Sequence, residues 1–246
     1  MAGKNIKAQF IMYNYLETTE FKQDIPYPTT DIFELPKNSD VPQLRDVLSD
    51  GRETVIIGNV EKSKDFVTPQ GDNPYGFKGT CGLVSVTGVL RQFGQEHITE
   101  ADVVKYAVEH RPPLCNVSNN MELSGGTTPE QLSKLLGDAG VSARPEMLGS
   151  LDVLAQRVSE GRGVIIGVNA GHLWDNAQYL ENGQANHAVV VTGVAKDPNT
   201  GKIQGFFIND SGAPNADRGK FIDANQMQNA WTNTGAQAIV TNGTYV

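Results

Sequence analysis

The sequence predicts an α+β fold, on three observations. From Cys81 to about residue 160, apolar residues recur at spacings of three and four between helix caps. After about residue 162 the pattern changes to short β-rich runs bounded by Gly, Asn, Asp and Pro. Helices followed by strands, without a βαβ alternation, is the order expected of helices segregated against an antiparallel sheet. The expected architecture is therefore an N-terminal helical half packed on a C-terminal antiparallel sheet.

Residues 1–60 differ from the rest. They contain "DIPYPTTDIFELPKNSDVP", whose prolines and acidic residues favour extended segments and turns, and "ETVIIGNV", which reads as a strand. We expect an extended accessory segment over 1–60 and one folded domain over 61–246. Residues 61–80 form a polar approach to Cys81 broken by Gly and Pro. The first helix opens at Cys81, with Leu83, Val86, Leu90 and Phe93 on one stripe and Gly94 as its stop. Val84, Val86, Thr87 and Val89 are β-branched and favour a strand locally, but the apolar spacing outlasts a typical strand. A second helix runs from Glu100 to Glu109 with Thr99 as N-cap. A third starts in "TTPEQLSKLLGDAG", where Thr128 and Gln131 make a capping box around Pro129. A fourth follows Ser150 and ends at Gly161. "GVIIGVNA", "HAVVVTGV", "IQGFFIND" and "AQAIVTNG" are the expected strands, and "ANQMQNAW" is a short helix before the last of them.

Charge and composition narrow the function classes. The balance of 28 acidic against 20 basic residues gives a net charge of -8, which disfavours both nucleic acid and an anionic membrane surface as partners. "MAGKNIKAQFIMYNYLETTE" has one apolar stretch, "FIMY", ended by Asn14, so no signal peptide and no membrane span is expected. Such a chain is cytoplasmic, is delivered into a target cell by a specialised secretion system, or is a piece of a longer polypeptide. Two cysteines, Cys81 and Cys115, cannot build a disulfide framework and allow one bridge at most. No metal-ligand spacing is visible, so neither metal nor cofactor is expected.

Cys81 has two readings. A thiol at a helix N-terminus has its anion stabilised by unpaired N–H groups and the macrodipole, as a nucleophile requires. A free cysteine is also a common small core residue. The histidines separate these readings. His97 and His110 flank the second helix in polar surroundings. His172, in "NAGHLWDN", follows a strand and competes for the role of base. His187 opens a strand in an apolar run, where a polar ring needs a partner. A hairpin with its turn in "DPNTG" places Asp210 directly opposite His187 and turns Asn209 to the other face; a slip of one residue would exchange the two. Trp174 and Tyr179, in the loop before His187, are candidate substrate contacts or ordinary packing.

Together, "GTCGLVSV", "NHAVVVTGV" and "FFINDSG" resemble the papain-like cysteine peptidases over roughly residues 65–240. The likeness is greatest to the bacteriocin-processing branch, which cleaves after a double glycine; similar domains occur as C-terminal toxins of bacterial polymorphic and contact-dependent systems. The resemblance implies that Cys81 is the nucleophile, His187 the general base and later acid, and Asp210 the group that orients the imidazole. It also implies a glutamine before the cysteine as an oxyanion donor. The nearest is Gln70, ten residues further from Cys81 than direct adjacency, a longer gap than the family's, and the loop "GDNPYGFKGT" would have to absorb it. An ordinary loop residue is the other reading of Gln70. The implied activity is cleavage of a protein substrate by a secreted toxin or effector, with an immunity protein as partner. A cell-wall amidase or deamidase using the same residues, and a peptide-binding module without catalysis, remain as alternatives.

Overall fold

The capping box expected at Thr128 and the N-cap expected at Thr99 both close in space, the latter as a second capping box, and Ser150 caps the fourth expected helix. In the computed structural model, which describes residues 40–212 and 216–245, Thr99 and Asp102 satisfy each other's backbone N–H groups, as do Thr128 and Gln131, and the Ser150 hydroxyl accepts from Val153 N. Residues 1–39, with most of the segment expected to be accessory and the "FIMY" stretch, lie outside the described residues. The described elements run in the order β1 (Gln43–Val47), β2 (Glu53–Ile57), α1 (Val60–Ser63), α2 (Cys81–Gln92), α3 (Glu100–Glu109), α4 (Pro129–Asp138), β3 (Ala143–Met147) and α5 (Leu151–Ser159). They continue with β4 (Arg162–Val168), α6 (Ala170–Trp174), β5 (His187–Lys196), β6 (Ile203–Asp210), β7 (Asp217–Asp223), α7 (Ala224–Ala230) and β8 (Gln237–Thr244).

The strands form one antiparallel sheet ordered β1-β2-β5-β4-β8-β3, with β6 on the free edge of β5 and β7 beyond it. Strand β5 is its centre. Its first half pairs with β4, from His187 opposite Val168 to Val191 opposite Val164; its last three residues pair with β2; β6 lies along the other edge. Strands β1, β3 and β7 are additions to the sequence reading. All three are polar and partly exposed, and β3 carries Pro145 in a strand that pairs on one side only, where a missing N–H is tolerated. Strands β1 and β2, both ahead of residue 60, belong to this same sheet.

Period-two alternation divides the sheet between two cores. Val164, Ile166, Val168, Val189, Val191, Ala238 and Val240 face a core completed by α5, α7 and Trp231. Ile165, Ala188, Val190 and Ile239 face the opposite core, built with α2, α3 and α4. The helical half thus covers one face as expected, while α5 to α7 form a second layer on the other. Helix α2 is buried all round except at Arg91, so tertiary packing overrides the strand preference of its β-branched residues. Gly82 lets it approach α4: a Cβ there would collide with the Thr127 hydroxyl and reach Leu132 Cδ2 at 3.0 Å.

The β5–β6 pairing corrects the expected hairpin. Val190 faces Asn209, where a tight turn in "DPNTG" would have put Phe207. The connection is wider because the Asp197 carboxylate accepts from Asn199 N, Thr200 N and Thr200 Oγ1, building a loop closed by Asp197 N on the Lys202 carbonyl. Asp210 is therefore not directly across from His187. The offset at this end is two residues, an even number, so both side chains keep the same face. Asn209 points to the other face, where it donates to the Ser63 carbonyl and accepts from Gly219 N.

We predict that Leu154→Ala, on α5 in the core remote from Cys81, destabilises the fold by about 2–5 kcal/mol. Urea unfolding should show the loss, while the folded protein's Cys81 alkylation rate stays within about twofold of the parent.

Candidate active site

Cys81 is the first residue of α2. Its N-cap, Thr80, makes no side-chain bond to the helix, because its hydroxyl donates instead to Glu100 Oε1 at 2.6 Å. The first turn therefore presents its N–H groups without a side-chain cap, in the place where a helix end favours an anion. His187 begins β5 and Asp210 ends β6, so two strands of one sheet bring imidazole and carboxylate together. His187 Nε2 lies 2.6 Å from Asp210 Oδ1, and the two side chains are 0% and 1% exposed. Asp210 also accepts from Trp174 Nε1 at 2.7 Å and from Gly212 N at 2.8 Å. The Trp174 ring packs on the imidazole with centroids 5.1 Å apart, and Tyr179 closes edge-on against Trp174 at 4.9 Å.

Burial opposes charge on this imidazole, but Asp210's charge and hydrogen bond, together with the interaction with Cys81, hold its pKa well above 6.5. Burial pushes Asp210 up in the same way, yet His187, Trp174 and Gly212 N together hold it below 3.8. With Nε2 engaged by Asp210, Nδ1 is the nitrogen left for the sulfur. Cys115 differs: it is free, as Cys81 is, and burial alone raises its pKa to about 11. The other histidines stand apart in kind. His97 and His172 are exposed, and His110 Nδ1 is engaged by the Pro112 carbonyl at 2.7 Å.

The expected residues therefore meet, with one instructive addition. Trp174 supports Asp210 directly, a role the sequence reading divided between substrate contact and packing. The available signal was the indole N–H, which needs an acceptor once it is covered. Gln70 is drawn in by two segments: its Nε2 donates to the Lys78 carbonyl at 2.7 Å, and its Oε1 accepts from Ser211 Oγ, next to Asp210, at 3.2 Å. A groove beside Cys81 and His187 is lined by apolar Leu132, Ile165 and Ile239 and by the acidic Glu122. Asn186 fixes the loop ahead of His187, accepting from Ala170 N and donating to the Tyr179 carbonyl. Among the described residues no group of three or more His, Cys, Asp or Glu could hold a metal ion, and no helix is long and apolar enough to cross a membrane.

The model of the Peptidase_C39 like family matches residues 66–239, a span that contains Cys81, His187, Asp210 and Gln70. The chain belongs to that family. As a C39-like chain it shares its fold with a solved protein from Bacillus anthracis described as a C39-like peptidase. That structure is 20% identical, superposes with a TM-score of 0.51, and the match covers 78% of this chain and 98% of the other. No curated protein matches the sequence. The family and the α+β architecture place the C39-like chain among the papain-like cysteine peptidases.

The shifts give signed predictions for pH. Folded His187 holds its proton to a higher pH than the unfolded ring does. Its pair with Asp210 therefore stabilises the fold fully below pH 6.5, and that contribution is lost as pH rises through the raised value. Asp210's own contribution is present above pH 3.8 and is lost as pH falls through its depressed value. In an NMR titration of the four imidazoles, His187 should remain protonated above pH 6.5, and Asp210→Asn should move its midpoint downward. Gly212→Ala tests the geometry, since a Cβ would lie 2.8 Å from both His187 Cε1 and Trp174 Cζ2. Displacing that imidazole should slow Cys81 alkylation by about tenfold or more; an unchanged rate would show that the ring has room to adjust.

Proposed function

We propose that this protein cleaves peptide bonds by acyl transfer through Cys81, His187 and Asp210. One observation carries the reading: the imidazole buried against Asp210 at 2.6 Å also interacts with Cys81, which stands on the first turn of a helix without a side-chain cap. A nucleophile, a base in reach of it and a group orienting that base is the arrangement covalent catalysis requires.

In the proposed reaction the Cys81 sulfur, its proton held by His187, attacks the scissile carbonyl and forms a tetrahedral oxyanion. The Cys81 backbone N–H and the Gln70 side-chain amide are the proposed donors to that oxyanion. The C–N bond breaks as imidazolium gives its proton to the leaving amine, leaving a thioester on Cys81. Imidazole then takes a proton from water, hydroxide adds to the thioester, and collapse releases the new carboxyl terminus and regenerates the thiol. Asp210 keeps its proton off throughout and holds the ring in place.

The substrate is a protein or peptide lying in the groove beside Cys81. Cleavage after Gly-Gly, and service as a delivered toxin countered by an immunity protein, belong to the same reading and rest on the sequence resemblance. The triad favours catalysis over a binding module, since a peptide-binding groove would not need a charged pair kept buried behind it.

The test begins with iodoacetamide on the native protein across pH, each cysteine quantified by peptide mass spectrometry. At about pH 6.5, where an ordinary thiol is almost wholly protonated, Cys81 should react at least tenfold faster than Cys115. His187→Ala should remove that advantage. A peptide panel with and without Gly-Gly should then be cleaved by the parent and not by Cys81→Ala. A Cys81 that reacts no faster than Cys115 until the protein is denatured would overturn the proposal.

A further inference from the structure

One buried acid lies outside the triad. Glu100, the first residue of α3, is 4% exposed. Its carboxylate accepts four hydrogen bonds, all from the loop that precedes Cys81: Gly71 N at 2.9 Å, Asp72 N at 3.1 Å, Asn73 Nδ2 at 3.1 Å and Thr80 Oγ1 at 2.6 Å. Gly71 immediately follows Gln70, and Thr80 immediately precedes Cys81. One carboxylate therefore holds both ends of the ten-residue stretch 71–80 that separates the proposed oxyanion donor from the nucleophile.

The rest of the loop supports that closure. Asn73 donates to the Phe77 carbonyl at 2.8 Å and accepts from Phe77 N at 3.0 Å, so its middle is folded on itself. Gln70 Nε2 reaches across to the Lys78 carbonyl, and Gly79 N is tied to the Ser124 carbonyl at 2.9 Å. A loop of this length closes its ends only against an entropic cost, and a buried charge without its donors is costly in turn. The two costs are met together only when Glu100 and the loop ends are in place.

We propose that Glu100 is a positioning residue: its carboxylate clamps the 71–80 loop shut and so sets the Gln70 amide beside the Cys81 backbone N–H as a working oxyanion pair. This inference rests on the peptidase reading above and adds to it the residue that lets a long insertion keep the two donors in register. It also assigns the Thr80 hydroxyl, withheld from its own helix, to the clamp.

The experiment is a double-mutant cycle of Glu100→Gln and Gln70→Ala on a cleaved peptide, with active sites titrated and fold checked by near-UV circular dichroism. Each single change should lower kcat per active site by about 10²-fold with KM within about twofold, as for loss of one oxyanion donor. The double variant should fall little below either single one, because both act through the same donor. A merely structural role would instead reduce the fraction of active sites and leave kcat per site intact, and that result overturns the clamp. So do effects that multiply in the double variant, or an unchanged kcat in Glu100→Gln. Should Glu100→Gln fail to fold, Thr80→Val, which removes one donor beside Cys81, takes its place in the cycle under the same criteria. An active parent with multiplying effects sinks the clamp alone; a parent with no turnover sinks the peptidase reading and the clamp with it.

Discussion

A carboxylate with no access to water is tolerable only when donors surround it, and Asp210 imposes that condition on everything near it. Its three donors come from three segments: the imidazole that starts β5, the indole at the end of α6 and the Gly212 amide just after β6. Leaving any one unpaired inside the protein would cost more than the bond itself contributes. The hairpin, the cleft loop and the segment after β6 are thereby bound to a common arrangement. The same burial that makes Asp210 costly makes its field strong at His187, where its charge and hydrogen bond, together with Cys81, overcome desolvation and hold the ring's pKa above its ordinary value.

Regular elements place the groups that must be most accurate. His187 and Asp210 stand at strand ends in the middle of an eight-stranded sheet, and Cys81 stands on a helix packed into the core against that sheet. Ala188 and Val190, next to His187 on β5, belong to the same core as Cys81, Leu83 and Val86, so the helix that starts at Cys81 and the strand that starts at His187 share one packed interior. The supporting parts, Gln70 on a loop and Trp174 at the end of the short α6, are each fastened by hydrogen bonds. Such a division suits a site whose reacting groups need sub-ångström placement.

Much of this was legible in the sequence because period and capping are local. The helices follow from Thr99, Thr128 and Ser150 and from apolar spacing, and the central strands from their β-branched runs. The pairing of His187 with Asp210 survived a wrong turn geometry for a physical reason: the loop at Asp197 offsets the strands by two, the two bulges between it and His187 cancel, and a net shift of two preserves the face in a structure of period two. A shift of one would have delivered Asn209. Strands β1, β3 and β7 were not legible, since their polar, exposed residues carry neither alternation nor a bounding signal. Trp174 could not be assigned because its partner lies 36 residues away. Glu100 reads locally as an ordinary acid in the first turn of a helix, and its contacts, 20 to 29 residues back along the chain, give it another meaning.

The two buried acids differ in what they hold, and the difference separates two requirements of the chemistry. Asp210 faces an ionisable ring, so in the proposed reaction its charge enters the proton inventory, holding on His187 the proton that a leaving amine would need. The donors to Glu100 are two backbone amides, a side-chain amide and a hydroxyl, none of which changes charge near neutral pH. Its influence on the site is therefore geometric and acts through loop closure. In the proposed reaction, proton transfer and oxyanion placement are thus assigned to different carboxylates. Such a separation lets the loop before the nucleophile lengthen without disturbing the imidazole, provided that its ends stay clamped. On the proposed clamp, the long sequence gap between Gln70 and Cys81 is a matter of chain path, and the spacing of the proposed donors in space falls to Glu100.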